Sequence, residues 1–216
     1  MKQKTQTYID QFFQNHEALC GLRNEIMDAF SILLDAYRSG NKVLVCGNGG
    51  SASDSEHIVG EMMKGFLLKR SIPEEDRRKI RQVCGSEINQ GICEHLQGAL
   101  PTISLVSHTA LMTAFSNDVD PQMVFAQQVY GYRKPGDVLI GISTSGNSRN
   151  VYYAAVVAKA SDMKVIAMTG CKDSLLSEIA DSTLRSPQSV TFRIQEDHLK
   201  IYHLLCGAVE LELYEE

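Results

Sequence analysis

The chain has 216 residues, 44% of them apolar and 22% charged, with 21 Lys+Arg against 26 Asp+Glu for a net charge of −5. That length and apolar share suit one domain, 1–216, with a sizeable core, and exclude wholesale disorder. The charge balance excludes a broadly basic nucleic-acid binder, and no apolar run approaches the ~18 residues of a membrane span. Neither a nucleic acid nor a membrane is therefore an expected partner.

The first residues, MKQKTQTYIDQFFQNHE, are polar and amphipathic and lack the apolar stretch of a secretion signal. Cys20, Cys46, Cys84, Cys93, Cys171 and Cys206 form no CxxC pair and no dense framework. Reduced thiols and a cytoplasmic location are the expectation.

In chain order, 6–39 reads as one bent helix or two, because Leu22, Ile26, Ala29, Phe30, Leu33, Leu34 and Tyr37 recur at helical spacing. Ser39-Gly40-Asn41 supplies a turn, and the apolar run Val43–Gly47 a strand buried on both faces. A helix is expected from Ser51 to Phe66. Segment 67–100 is crowded with charge, including Glu74, Glu75, Asp76, Arg77, Arg78, Lys79 and Arg81. It reads as a helical insertion with solvated helices near 74–83 and 87–97, Pro73 marking the first start.

Beyond it, 102–106 is a strand candidate, followed by helices near 108–117 and 124–132. Strands follow at 138–142, 164–169 and 183–185, separated by helices near 149–161 and 174–180. A closing helix runs from Gln195 to Tyr214. This alternation predicts an α/β fold, with a doubly wound parallel sheet of about five strands after N-terminal helices in 1–40. Such folds bind ligands at the carboxyl ends of their strands.

Two turns occupy such ends. Gly47-Asn48-Gly49-Gly50-Ser51 joins a strand to a helix, so backbone N–H groups and a helix N-terminus can face an anion. Gly47, Gly49 and Ala52 also fit a loose dinucleotide pattern, but Phe66-Leu67-Leu68-Lys69-Arg70 lacks the acid that pattern needs. The second turn, Ser143-Thr144-Ser145-Gly146-Asn147-Ser148, offers four hydroxyls ahead of a helix. Its bland reading is a polar loop with Asn147 or Ser148 as helix cap. Two such turns on one sheet point to phosphate.

His57 and Glu61, four apart, share one helix face. Gln195 and His203, eight apart on the last helix, differ by about 80° in azimuth and ~12 Å along the axis. They converge only if their side chains lean together or the helix starts after Gln195. A carboxylate and an imidazole suit proton transfer beside a carbonyl, and the four residues could bind zinc.

The segments GNGGSASDSEH, DVLIGISTSGNS and RIQEDHLKIYH resemble the sugar isomerase (SIS) domain family, and within it the phosphoheptose isomerases. The resemblance runs from about residue 10 to 213 but skips roughly 67–100. It implies a three-layer α/β/α sandwich and a homotetramer with active sites between subunits. It also implies interconversion of sedoheptulose 7-phosphate and D-glycero-D-manno-heptose 7-phosphate through an enediol. Glu61 takes the family's base position and His203 its acid. The zinc positions fall on His57, Glu61, Gln195 and His203. The phosphate positions fall on Ser143, Thr144, Ser145 and Ser148, with Asn48, Gly49, Gly50 and Ser51 beside the sugar, as Gln195 is.

A cousin in the superfamily binds the replication initiator DnaA without being an isomerase, so a non-catalytic phosphosugar-binding or DnaA-associating protein is the alternative. That cousin lacks the glutamate and the final histidine, which this chain has. The chain departs from the family at Met63-Lys64-Gly65, where Thr-Gly-Arg is common. It also departs at His108 and Phe192, which stand where the family has aspartates.

Overall fold

The structure, a computed structural model, describes residues 1–84 and 86–214, with the side chains of 86–89 excepted. Gly85 and the last two residues, part of the expected 1–216 domain, lie outside the described residues.

The N-terminal helical region is two α-helices, α1 (Gln3–Asn15) and α2 (Arg23–Arg38), joined by a short 3₁₀ helix at Glu17–Leu22. Then β1 (Val43–Gly47) leads into α3 (Gly50–Met63). The charged insertion folds as α4 (Glu74–Val83) and α5 (Ser86–His95). Next come β2 (Thr102–Ser104), α6 (Thr109–Asp118) and α7 (Val124–Tyr132). The chain continues through β3 (Val138–Ile142), α8 (Arg149–Lys159) and β4 (Lys164–Thr169). It ends with α9 (Leu175–Ile179), β5 (Ser182–Arg185) and α10 (Thr191–Tyr214).

Three expectations shift. The helix read as Ser51–Phe66 ends at Met63, the strand read as 102–106 stops at Ser104, and the last helix begins at Thr191, four residues before Gln195.

The five strands among the described residues are all parallel, in the order β2-β1-β3-β4-β5. Successive strand side chains point to opposite faces, and both faces are apolar. Val43 and Val45 of β1, Val138, Ile140 and Ile142 of β3, and Ile166 and Met168 of β4 enter one core with α1, α2, α3 and α10. Leu44 and Cys46, Leu139, and Val165 and Ala167 enter the other with α7, α8 and α9. The result is a three-layer α/β/α sandwich. α8 offers the sheet Val151, Ala154, Ala155 and Ala158, and Gly141 of β3 leaves room for it. A Cβ on Gly141 would lie 3.1 Å from Val151 Cγ1.

α10 is buried on almost every side from Ile201 to Glu212, as expected of a helix apolar all round. It is wedged against α1, α2 and α3. In contrast, α4 has no buried residue and carries Lys79–Glu75 and Arg81–Glu74 ion pairs, each at 2.8 Å. The solvated reading of that charge run holds.

The insertion is tied down at its root by Arg70, only 1% exposed. Its Nε donates to Glu210 Oε1 at 2.6 Å, and its guanidinium also donates to the carbonyls of Met62 (2.6 Å) and Glu61 (3.2 Å). Glu210 further accepts from the backbone N–H groups of Phe66, Leu67 and Leu68. Two C-terminal carbonyls of α3 thus face a buried cation, and that of Met62 also accepts the Leu100 N–H at 3.0 Å.

Candidate active site

The sheet order places a topological switch between β1 and β3: the chain leaves β1 toward β2 on one side and leaves β3 toward β4 on the other. Both unusual turns emerge there, side by side. They are joined by reciprocal amide bonds, Asn48 Nδ2 to Asn150 Oδ1 and Asn150 Nδ2 to Asn48 Oδ1, each 2.9 Å.

In the first turn, Gly47 has no room for a side chain, because a Cβ would lie 2.6 Å from the Ser51 carbonyl oxygen. Gly49 takes φ 57°, and Ser51 is buried beneath the turn. In the second, Ser143 Oγ donates to Ser148 Oγ at 3.0 Å, and Asn147 N–H donates to Ser145 Oγ at 3.2 Å. Gly146, at φ 66°, packs against Ser174. Ser148 starts α8 but makes no side-chain cap bond, so its hydroxyl serves the turn.

Thr144, Ser145 and Asn147 open onto a cavity of about 350 Å³, closed by Lys172, Gln188 and Thr191 among others. The sequence reading missed Lys172 and Gln188. Their position after β4 and β5, at the ligand-binding edge of the sheet, is the signal that could have found them.

α3 and α10 run side by side and bring His57, Glu61 and His203 together, with one ligand atom from each within 4.8 Å of the others. His57 Nε2 lies 3.2 Å from Glu61 Oε1 and 3.5 Å from His203 Nε2. The His203 ring stacks on Phe66, centroids 5.5 Å apart. Lys64 takes the other carboxylate oxygen, Nζ to Glu61 Oε2 at 3.0 Å, so one departure from the family motif touches Glu61 directly.

Burial holds His203 below its ordinary 6.5; the nearby His57 adds to this and Glu61 opposes it. Burial pushes Asp54, one turn before His57, up to about 6, against the pull of Tyr202 and His57.

Gln195 does not join this cluster. It lies over the start of α3, where a Cβ on Gly50 would collide with its amide. Gly50 and His57 are about 10 Å apart along α3, and Gln195 and His203 about 12 Å apart along α10. Because the helix already includes Gln195, one of the two routes to convergence, a helix starting after Gln195, is closed. His108 precedes α6, 5.7 Å from the Tyr132 ring, and Phe192 is exposed at the start of α10.

The SIS domain profile matches residues 7–77 and 88–170. The chain belongs to the SIS domain family. The break in the match falls within the α4–α5 insertion. The chain is 37% identical over 202 residues to a phosphoheptose isomerase from Geobacter sp. (strain M21), covering 92% of this chain and 91% of the relative. Its fold matches a phosphoheptose isomerase from Francisella tularensis with a TM-score of 0.74 at 30% identity, covering 95% and 96% of the two chains. A phosphoheptose isomerase from Neisseria gonorrhoeae matches with a TM-score of 0.72, also at 30% identity, covering 96% and 97%. Within the SIS family, this chain's kinship is with isomerases.

Proposed function

We propose that the protein is a phosphosugar aldose–ketose isomerase that interconverts sedoheptulose 7-phosphate and D-glycero-D-manno-heptose 7-phosphate. The observation that carries the reading is the meeting of Glu61 and His203 on neighbouring helices that start beside two anion-binding turns. The Ser143–Ser148 turn holds the phosphate with Ser143, Thr144, Ser145 and Ser148. Glu61 carries a proton between C1 and C2 through an enediol, and His203 transfers protons at O1 and O2. An imidazole held below 6.5 is neutral at pH 7 and can both give and take a proton.

The residues fit zinc. Zn–N bonds of about 2.05 Å in a tetrahedron place neighbouring donors about 3.3 Å apart. The separations from His57 Nε2 are 3.2 Å to Glu61 Oε1 and 3.5 Å to His203 Nε2. His57, Glu61 and His203 would hold the ion, which when bound would polarise the sugar oxygens.

Glu61→Gln tests the assignment. Turnover of sedoheptulose 7-phosphate should fall roughly 10²–10⁴-fold while the substrate still raises the melting temperature. Full turnover by the variant would remove Glu61 from the chemistry.

A further inference from the structure

Tyr202 neighbours His203 on α10, yet the chemistry above does not use it. It is 2% exposed, and a buried tyrosine hydroxyl needs partners. It has two: His57 Nδ1 at 2.8 Å and Asp54 Oδ1 at 3.4 Å. Asp54 is one turn before His57 on α3, and its second oxygen, Oδ2, is buried with no hydrogen-bond partner among the described residues. A hydroxyl has one proton to give, and a carboxylate can only accept. With that proton directed to Asp54, the Tyr202 oxygen accepts from Nδ1–H of His57. The Nε2 lone pair is then the free one, and Nε2 faces Glu61 and His203.

We propose that Tyr202 and Asp54 are positioning residues that hold His57 as the Nδ1–H tautomer and so prepare Nε2 to bind a divalent metal cation with Glu61 and His203. Outer groups of this kind fix ring orientation and tautomer at metal-binding histidines. The inference rests on the metal reading given above. Without the hydroxyl, His57 is free to carry its hydrogen on Nε2 and point it at Glu61, which closes the donor position.

The experiment is a competition titration of the metal-free protein with Zn²⁺ alone against a chromogenic chelator. Wild type, Tyr202→Phe and Asp54→Asn are compared, with thermal melting as a control for folding. Both substitutions keep the shape of the side chain. Zinc affinity should fall roughly 10–100-fold in each variant while the fold is kept. In the zinc-loaded wild type, ¹⁵N-edited NMR should show a slowly exchanging His57 Nδ1–H that is lost in Tyr202→Phe. Variants that bind zinc as tightly as wild type would overturn the positioning role and leave the metal site standing. A wild type that binds no zinc would overturn both, while turnover with Glu61→Gln separately decides the isomerase reading.

Discussion

His198 is a buried titratable group whose behaviour can be checked without knowing the substrate. Its Nε2–H donates to the Thr169 carbonyl at the end of β4 at 3.1 Å, while Nδ1 has no partner among the described residues. Burial lowers its pKa below 6.5, against the opposing effects of the Thr169 carbonyl and Asp197. The unfolded chain therefore binds this proton more readily, and stability is lost as the pH falls through about 6.5. One such group contributes at most ~1.4 kcal/mol per pH unit. Asp54, raised from 3.8 to about 6, works in the opposite sense over its own range, so the test is a comparison of slopes. Urea unfolding of His198→Gln between pH 7.5 and 5.5 should depend less on pH than that of wild type. Equal slopes would show that His198 does not titrate with unfolding.

The same scale shows what the sequence could reveal. His57 and Glu61 were legible because a spacing of four fixes a shared helix face whatever the tertiary context. Tyr202 and Asp54 were not. A tyrosine in an apolar helix reads as core, and an aspartate in the second turn of a helix reads as solvated. Only the packing of α10 on α3 brings them together. Lys64 was singled out as a departure from a motif, but its pairing with Glu61 also needed the fold.

At the level of elements, the Ser143–Ser148 turn depends on a backbone shape that side chains resist. An alanine at Gly146 would adopt a left-handed conformation costing about 1–2 kcal/mol and would push its Cβ into Ser174. In Gly146→Ala the turn must open, so KM for the sugar phosphate should rise at least tenfold while Glu61 chemistry persists in saturating substrate. An unchanged KM would place the phosphate elsewhere. The glycine–serine composition made this turn a candidate, but a polar loop with a helix cap uses the same residues, and it was the second such turn on the same sheet that pointed to phosphate.

The Arg70–Glu210 pair was not readable. Arg70 sits in a charge-rich stretch and Glu210 in an apolar helix, 140 residues apart. Removing one member leaves a buried charge. Arg70→Met should therefore cost about 3–5 kcal/mol in urea unfolding, and adding Glu210→Leu should not restore it, because the backbone N–H groups of Phe66, Leu67 and Leu68 then lose their acceptor. No loss in the single variant would mean that water relieves Glu210. The start of α10 was misread by four residues because Thr191–Ile194 show no apolar periodicity, and neighbouring loops decide where that helix begins.

For the molecule as a whole, alternation of apolar strands and amphipathic helices was enough to predict a parallel sheet, since both faces of each strand had to be covered. Strand order was not predictable from the pattern alone. The order β2-β1-β3-β4-β5 is what brings the turns after β1 and β3 side by side, joined through Asn48 and Asn150. It is also why α3 and α10, far apart in sequence, share a site. None of the six cysteines forms a disulfide among the described residues, and no described helix is long and apolar enough to cross a membrane.

The central claim is proton transfer between adjacent carbons of a phosphorylated ketose, performed by Glu61. The most direct measurement is mass-spectrometric turnover of sedoheptulose 7-phosphate in deuterated water. The account predicts a heptose aldose phosphate with deuterium at C2, formed roughly 10²–10⁴-fold more slowly when Glu61→Gln replaces wild type. Thermal stabilisation by the substrate with neither conversion nor deuterium uptake would contradict it, and would leave a phosphosugar-binding protein in place of an enzyme.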